Sequence, residues 1–282
     1  MGRQEKLSRN TDTADQYNSP THAAEWDGRA YHRIRSPQFS WGQQVLARLS
    51  LRGDETVMDA GCGTGRLTAE LLERVPRGRV IAVDNSESML QVASEHLRAR
   101  FGDRVSFVRA DLQTLQMDEA VDVVFSTAAF HWVTDHPRLF QNLYRALKPG
   151  GRLVAQCGGG PNIESLLRRA PRLTATAPYA PFFGDWAWPW EFADDVTTTE
   201  RLRTAGFVDV ETSLKAAPTL LDGAQEYREF ISNVVFLINL KRLPNERLRD
   251  QFVAKLTEMA AVDNPPFLLD YWRLNLRGRR PC

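Results

Sequence analysis

The residues best suited to chemistry lie in one short stretch, Asp59-Ala60-Gly61-Cys62-Gly63-Thr64-Gly65, an acid followed by glycines at alternate positions. Glycines at this spacing let the backbone turn tightly and let a ligand approach without interference from a Cβ. Where such a turn opens a helix, the N–H groups at the helix start favour a polar or anionic ligand group. Two further acids follow: Asp84, 25 residues after Asp59, and Asp111 in Ala110-Asp111-Leu112. A carboxylate at the first can accept both hydroxyls of a ribose. One at the second can accept a bond from an adenine amino group. Each acid alone reads equally well as a helix cap or loop carboxylate. Together, at the ends of successive strands, they describe one nucleoside site.

The surrounding pattern supplies those strands. Thr56–Asp59, Val80–Val83, Val105–Val108 and Val121–Phe125 are short, β-branched and apolar, and read as buried strands. Between them Leu67, Leu71, Leu72 and Val75 recur at helical spacing, and Ser86 can cap a helix that buries Met89, Leu90, Ala93 and Leu97. Asp135 with Pro137 opens a helix whose buried stripe is Leu139, Phe140, Leu143, Tyr144 and Leu147. Lys148-Pro149-Gly150-Gly151 stops it, and a fifth strand is expected at Arg152–Gln156. Strand and helix alternate at short intervals, so a parallel sheet with helices on both faces is expected.

The second half is less regular. Residues 158–195 are rich in Pro, Gly and aromatics; between Tyr179 and Phe192 seven of fourteen residues are aromatic, and Pro181 and Pro189 should break any helix there. A strand is expected at 207–212, two amphipathic helices at 227–238 and 248–259, and a last strand within 267–276. The expected class is α/β: a seven-stranded, mostly parallel sheet with a helical, aromatic-rich cap. The chain divides into a mobile polar tail (1–18), N-terminal helices and the cofactor half of the sheet (19–157), an aromatic cap segment (158–195), and the end of the sheet (196–282) carrying a helical insert at 216–265.

Composition narrows the function classes. With 36 Lys plus Arg against 35 Asp plus Glu, the formal charge is +1, which argues against a nucleic-acid binder. The longest apolar run, Val234–Ile238, is far too short to span a bilayer. Cys62, Cys157 and Cys282 lack metal-ligand spacing and fit a reducing cytoplasm. His22, His32, His96 and His136 show no metal spacing either, so no metal site is expected.

The nearest alternative for the glycine turn is a dinucleotide site with G-x-G-x-x-G/A. Here the third fingerprint position is Arg66, glycine comes one residue early at Gly65, and Asp59 precedes the turn. This pattern, over roughly residues 55–157, resembles the class I S-adenosylmethionine-dependent methyltransferases, whose first motif is an acid followed by G-x-G-x-G. The resemblance implies S-adenosyl-L-methionine as cofactor. Its methionine end would lie on Asp59, Gly61, Cys62, Gly63 and Gly65, its ribose on Asp84 beside Asn85, and its adenine on Asp111 and Leu112. Tyr31, Arg33, Met89, Thr127 and Ala128 complete the implied cofactor set. Phe125–Val133, with Phe130-His131-Trp132 at its end, followed by Asp135-His136 and Leu-Lys-Pro-Gly-Gly, resembles the trans-aconitate methyltransferase group, which includes juvenile hormone acid and malonyl-carrier-protein methyltransferases. The Trp26-Asp27…Tyr31…Arg33 stretch is similar to a helix that closes over the cofactor in that group. Gly28 replaces a common Pro and Thr127 a frequent Asn.

The resemblance implies methyl transfer to a small molecule. A carboxylate acceptor is already ionised at pH 7. A hydroxyl acceptor would want a base, for which His131 is the candidate, although a His after a strand is often only a hydrogen-bonded loop residue. Trp132 is either a pocket wall or core. The aromatic segment is either a lid packed on the cap or an apolar pocket. A polycarboxylate acceptor would need cations such as Arg168, Arg169, Arg172, Arg201 or Arg203 facing inward. Arg168 and Arg169 read as part of a solvated helix, and Arg277–Arg280 as a solvated tail. An apolar-bodied acid or hydroxyl compound is therefore favoured, with a carboxylate as the expected acceptor. O- or N-methylation of a hydroxyl or amine of a natural product, or a non-catalytic cofactor-binding module, are the alternatives. A monomer or homodimer is expected.

Overall fold

Every residue of Thr56–Ala60 (β1) is buried, the mark of a strand packed on both faces. Val57 enters an apolar cluster with Leu71, Leu97 and Phe125, while Met58 enters another with Val124, Phe140 and Leu143. The computed structural model describes residues 26–33 and 37–282. The expected tail at 1–18, and His22, lie outside the described residues, as does the side chain of Arg33.

Two helices, α1 (Gly28–Arg33) and α2 (Pro37–Ala47), precede β1. Then α3 (Arg66–Arg74), β2 (Arg79–Asp84), α4 (Glu87–Phe101), β3 (Val105–Arg109), β4 (Val121–Thr127), α5 (His136–Ala146) and β5 (Leu147–Gly158) follow. The expected caps form: Ser86 Oγ accepts from the Met89 amide at 3.3 Å, and Asp135 accepts from the Arg138 amide at 3.0 Å. The rest comprises α6 (Glu164–Thr174), α7 (Ala180–Phe183), α8 (Asp195–Thr204), β6 (Val208–Ala216), β7 (Thr219–Leu220) and α9 (Gly223–Phe230). A π-helical turn at Ile231–Val235, α10 (Leu237–Leu240), α11 (Glu246–Ala261), β8 (Leu268–Leu269) and β9 (Trp272–Arg279) complete it.

The main sheet has seven strands in the order β3-β2-β1-β4-β5-β9-β6. Only β9 runs antiparallel to its neighbours, so the Rossmann-like, mostly parallel sheet is as expected. The order reverses at β1, which has β2 on one side and β4 on the other. Open α/β sheets bind ligands beyond the carboxyl ends of the strands at such a switch point. Above it, α6, α7 and the helices from α9 to α11 share a separate aromatic core containing Tyr179, Phe183, Phe230, Phe236 and Phe252. No helix among the described residues is long and apolar enough to cross a membrane.

Several local expectations change. Lys148–Gly151 does end α5, but it belongs to β5: Leu147 pairs with Val121, and a register shift between Val121 and Val123 absorbs the extra residues. Pro181 does not break a helix; it sits in the first turn of α7, where its missing N–H costs nothing. The last strand splits into β8, which pairs with β7, and β9, which runs on to Arg279. Arg277–Arg280 is therefore no solvated tail. Arg277 and Arg279 pair with Glu211 and Asp209 of β6, and Arg280 donates to the Leu147 carbonyl and to Glu119, both at 2.7 Å. Nor is α6 simply solvated: Leu166 and Ala170 are buried, and Arg169 forks onto Asp263, one of its two bonds being 2.8 Å.

Candidate functional site

The glycine turn leaves the carboxyl end of β1 at the switch point. Gly61 and Gly63 have φ of 81° and 53°, values that favour glycine. At Gly61 a Cβ would lie 2.2 Å from the Cβ of Ala129, so the turn is pressed against the segment after β4. At Gly63 a Cβ would meet nothing within 4 Å, so the turn is open on that side. The turn amides are mostly engaged. Gly61 and Cys62 donate to the Val83 carbonyl (2.8 and 3.0 Å), Gly63 to Asp84 Oδ2 (2.8 Å), and Gly65 to the Cys62 carbonyl (3.0 Å). The turn thus spends most of its own amides on its geometry, which leaves the polar or anionic ligand group expected at the helix start to the N–H groups of the first turn of α3.

The acids converge on the same edge. Asp84 ends β2, its two oxygens held by the amides of Gly63 and Ser86 (2.8 and 2.9 Å). Asp111 follows β3, with the Gln113 amide on its Oδ1 at 2.9 Å. Asp59 is only 2% exposed and accepts the Thr68 hydroxyl at 2.7 Å, so it ties the turn to α3 from behind. Burial pushes the Asp59 carboxyl up to about 7, opposed by the Thr68 bond and aided by the Asp84 charge. Asn85 offers its carbonyl to Arg109, while Met89 and Leu112 are buried. Cys62 is buried, its thiol pushed up by burial and by Asp84 and Asp59. Two carboxylates, Asp84 and Asp111, beside an open glycine turn most of whose amides are engaged suit a cationic nucleoside such as S-adenosylmethionine. They suit a pyrophosphate poorly.

Helix α1 lies across this edge. The Gly28 amide donates to Ser88 Oγ at 3.0 Å, and His32 Nδ1 lies 2.9 Å from Thr64 Oγ1. A side chain at Gly28 would meet the Ser88 carbonyl at 2.7 Å, so the glycine lets α1 sit close on α4. Trp26 packs edge-on against Trp132 with ring centroids 5.2 Å apart.

Between α1, the β4 and β5 ends and the cap lies a cavity of about 50 Å³, room for several waters or a carboxylate-sized group. Tyr31, Ala128, His131, Trp132, Trp190, Phe192 and Arg273 are among its walls. Ala128, next to Thr127 at the end of β4, has φ 54°, uncommon outside glycine and of the kind concentrated at binding sites. His131 stacks on Phe192 (5.7 Å) and receives the Gly158 amide on Nδ1 at 3.3 Å. Burial, the Arg273 charge and His136 hold its imidazole well below the usual value. The cap aromatics Trp190 and Phe192 line the cavity without filling it, while Tyr179 and Phe183 belong to the cap core.

Of the cations considered from sequence, none lines this cavity: Arg168, Arg172 and Arg203 are exposed, Arg169 is on Asp263, and Arg201 binds Glu191 (2.9 Å) and His136 (3.1 Å). The cation that does, Arg273, was missed, as were Gln38, Asn162 and Tyr271. The available signal was an arginine between Trp272 and Leu274 in the mostly apolar Phe267–Leu276 segment. Among the described residues no group of three His, Cys, Asp or Glu could hold a metal.

Residues 57–151 match a family model described as a methyltransferase domain. The chain is 39% identical to a trans-aconitate 2-methyltransferase of Acidovorax ebreus over 132 residues, 47% of this chain and 49% of that protein. It thus spans about half the length of the first of these relatives. It is 30% identical to a trans-aconitate 2-methyltransferase of Deinococcus radiodurans over 225 residues, 77% of this chain and 83% of that one. In fold it is similar to Haemonchus contortus phosphoethanolamine N-methyltransferase 2, with a TM-score of 0.59 at 19% identity over 90% of this chain and 57% of that one. Bacillus subtilis YcgJ gives a TM-score of 0.59 at 17% identity, covering 86% of this chain and 99% of that one. The chain belongs to the class I S-adenosylmethionine-dependent methyltransferases, in the trans-aconitate methyltransferase group.

Proposed function

We propose that the chain transfers a methyl group from S-adenosylmethionine to a carboxylate oxygen of a small, apolar-bodied molecule. The observation that carries this reading is the makeup of the cavity beside Ala128. Among the described residues no carboxylate and no lysine line it, and its one imidazole has Nδ1 occupied by the Gly158 amide. A hydroxyl acceptor must give up a proton to a base. A carboxylate is ionised at pH 7 and needs none. The names of the trans-aconitate relatives point to an acid as acceptor class as well.

S-adenosylmethionine supplies an electrophilic methyl group on a sulfonium. What remains for the protein is alignment and the exclusion of water. The glycine turn, Asp84 and Asp111 would hold the nucleoside at the switch point. Tyr31 and Trp26, carried on and beside α1, close the reacting end together with Trp132. Trp190 and Phe192 offer an apolar wall to the body of the acceptor. An acceptor oxygen forms the new O–CH3 bond as the S–CH3 bond breaks and its electron pair passes to sulfur. No proton moves.

The test is incubation of the protein and methyl-labelled cofactor with a metabolite extract, followed by mass spectrometry of labelled products. Methyl esters are expected, recognised by release of labelled methanol in mild base. Products stable to that treatment would identify an ether or amine and overturn the reading.

A further inference from the structure

Among the described residues, Arg273 is the one cation in the walls of the cavity beside Ala128. It lies in β9 beside the end of β5, paired in register with Gly158, and is only 4% exposed. Its guanidinium carbon sits 4.5 Å above the ring of Trp41, and its Nε is 3.5 Å from Gln156 Oε1, a long and weak contact. The titratable groups around it are Cys157, Tyr271, Tyr31 and His131, none of them anionic at neutral pH. Among the described residues no carboxylate pairs with it. A buried cation without a counter-charge is costly, and a face-on aromatic ring offsets that only in part. The other walls of the cavity that Arg273 lines include Trp26, Gln38, Asn162 and Val234.

We propose that Arg273 is the specificity-determining residue for the acceptor, binding the single carboxylate of an apolar-bodied monocarboxylic acid. This deepens, and rests on, the reading of carboxylate methylation. One cation in a chamber whose other walls are uncharged matches one carboxylate, and a tricarboxylate would leave its further charges without a counter-charge. The planar guanidinium can hold one carboxylate oxygen while the other attacks the methyl carbon. Methylation removes the charge that Arg273 recognises, since the carboxylate becomes a neutral ester as the sulfonium becomes a thioether. The same residue therefore selects the acid and releases the ester.

The test uses the full chain saturated with S-adenosylhomocysteine, with binding read by tryptophan fluorescence. Probes are hexanoate, octanoate and phenylacetate, the methyl ester of each, and trans-aconitate. At least one monocarboxylate is expected to bind ten times or more tighter than both its ester and trans-aconitate. Arg273→Met should erase that preference, and Arg273→Lys should cut it severalfold because the charge stays but the fork is lost. S-adenosylhomocysteine affinity, measured by calorimetry, should stay within about twofold in both variants; Arg273→Lys serves alone if the methionine variant does not fold. No preference for any acid in the wild type, or an undiminished preference in a folded variant, overturns the proposal. Ester formation with an Arg273-independent preference would sink this assignment alone. An Arg273-dependent preference with base-stable products would sink the reacting carboxylate and leave the recognition standing.

Discussion

The backbone amide of Gly158, at the end of β5, donates to Nδ1 of His131 across 3.3 Å. A neutral imidazole has one N–H, so Nδ1 as acceptor puts the proton on Nε2. Burial, Arg273 and His136 all disfavour a second proton on the ring. His131 thus carries its proton on Nε2, where it can donate but cannot act as a base.

His131→Gln, which keeps a donor, should retain kcat/KM for the acceptor within a fewfold, whereas His131→Phe, which keeps only the stacking on Phe192, should lose about ten- to a hundredfold, the usual worth of a bond to a charged group. Because no proton is in flight, the rate in D2O should match that in H2O. A solvent isotope effect of about two or more, lost in His131→Gln, would instead make the residue a base.

Gly63 separates a folding role from a binding role. Its φ of 53° makes an alanine mildly strained, yet a methyl there meets no protein atom within 4 Å. Gly63→Ala should cost about 1 kcal/mol of stability in thermal unfolding and at least tenfold in S-adenosylhomocysteine affinity, since the space belongs to the ligand. Gly61→Ala, driven into Ala129, should instead cost several degrees of Tm before any ligand is added. Equal affinity losses with no stability difference between the two would contradict the open-cradle geometry.

The sheet was legible because its strands are short apolar runs whose alternate residues, such as Val57 and Met58, feed opposite cores. The acids were legible because each lies at or just past the carboxyl end of a strand. What the sequence hid depends on contacts between distant segments. Arg273 is 142 residues from His131, and only the β5–β9 pairing brings them to one cavity. The engagement of the turn amides was hidden likewise, since it needs the Val83 carbonyl and the Asp84 carboxylate in place. Arg277–Arg280 looked solvated because charge in a strand edge is invisible until Glu211 and Asp209 appear beside it.

The Arg169–Asp263 pair joins α6 to the loop after α11, with both side chains about three-quarters buried. Asp263 raises the pKa of Arg169 further, opposed by burial. Arg169→Met should lower stability by about 1–3 kcal/mol, the cost of leaving the largely buried Asp263 carboxylate unpaired. The double variant Arg169→Met with Asp263→Leu should recover part of it. S-adenosylhomocysteine affinity should be unchanged in both, because the pair lies in the cap rather than at the switch point. A parallel loss of cofactor affinity would show that the cap and the sheet edge are coupled.

Asp59 makes cofactor binding depend on pH. With its carboxyl pushed up to about 7, chiefly by burial, the unliganded protein at pH 6 holds this side chain largely protonated. Since the folded pKa lies above the unfolded one, its contribution to stability is present below about pH 4 and lost as pH rises through 7. A sulfonium and an ammonium brought to the glycine turn favour the ionised form, so binding should expel a proton near neutrality. Calorimetry of S-adenosylmethionine at pH 6.5 in two buffers of different ionisation enthalpy should give a fractional proton release, and affinity should rise between pH 6 and 8. Asp59→Asn keeps an acceptor for Thr68 but cannot titrate, so it should abolish the release and stabilise the unliganded protein at pH 8. Binding heats independent of buffer in the wild type would mean that Asp59 stays out of reach of the bound charge behind the turn.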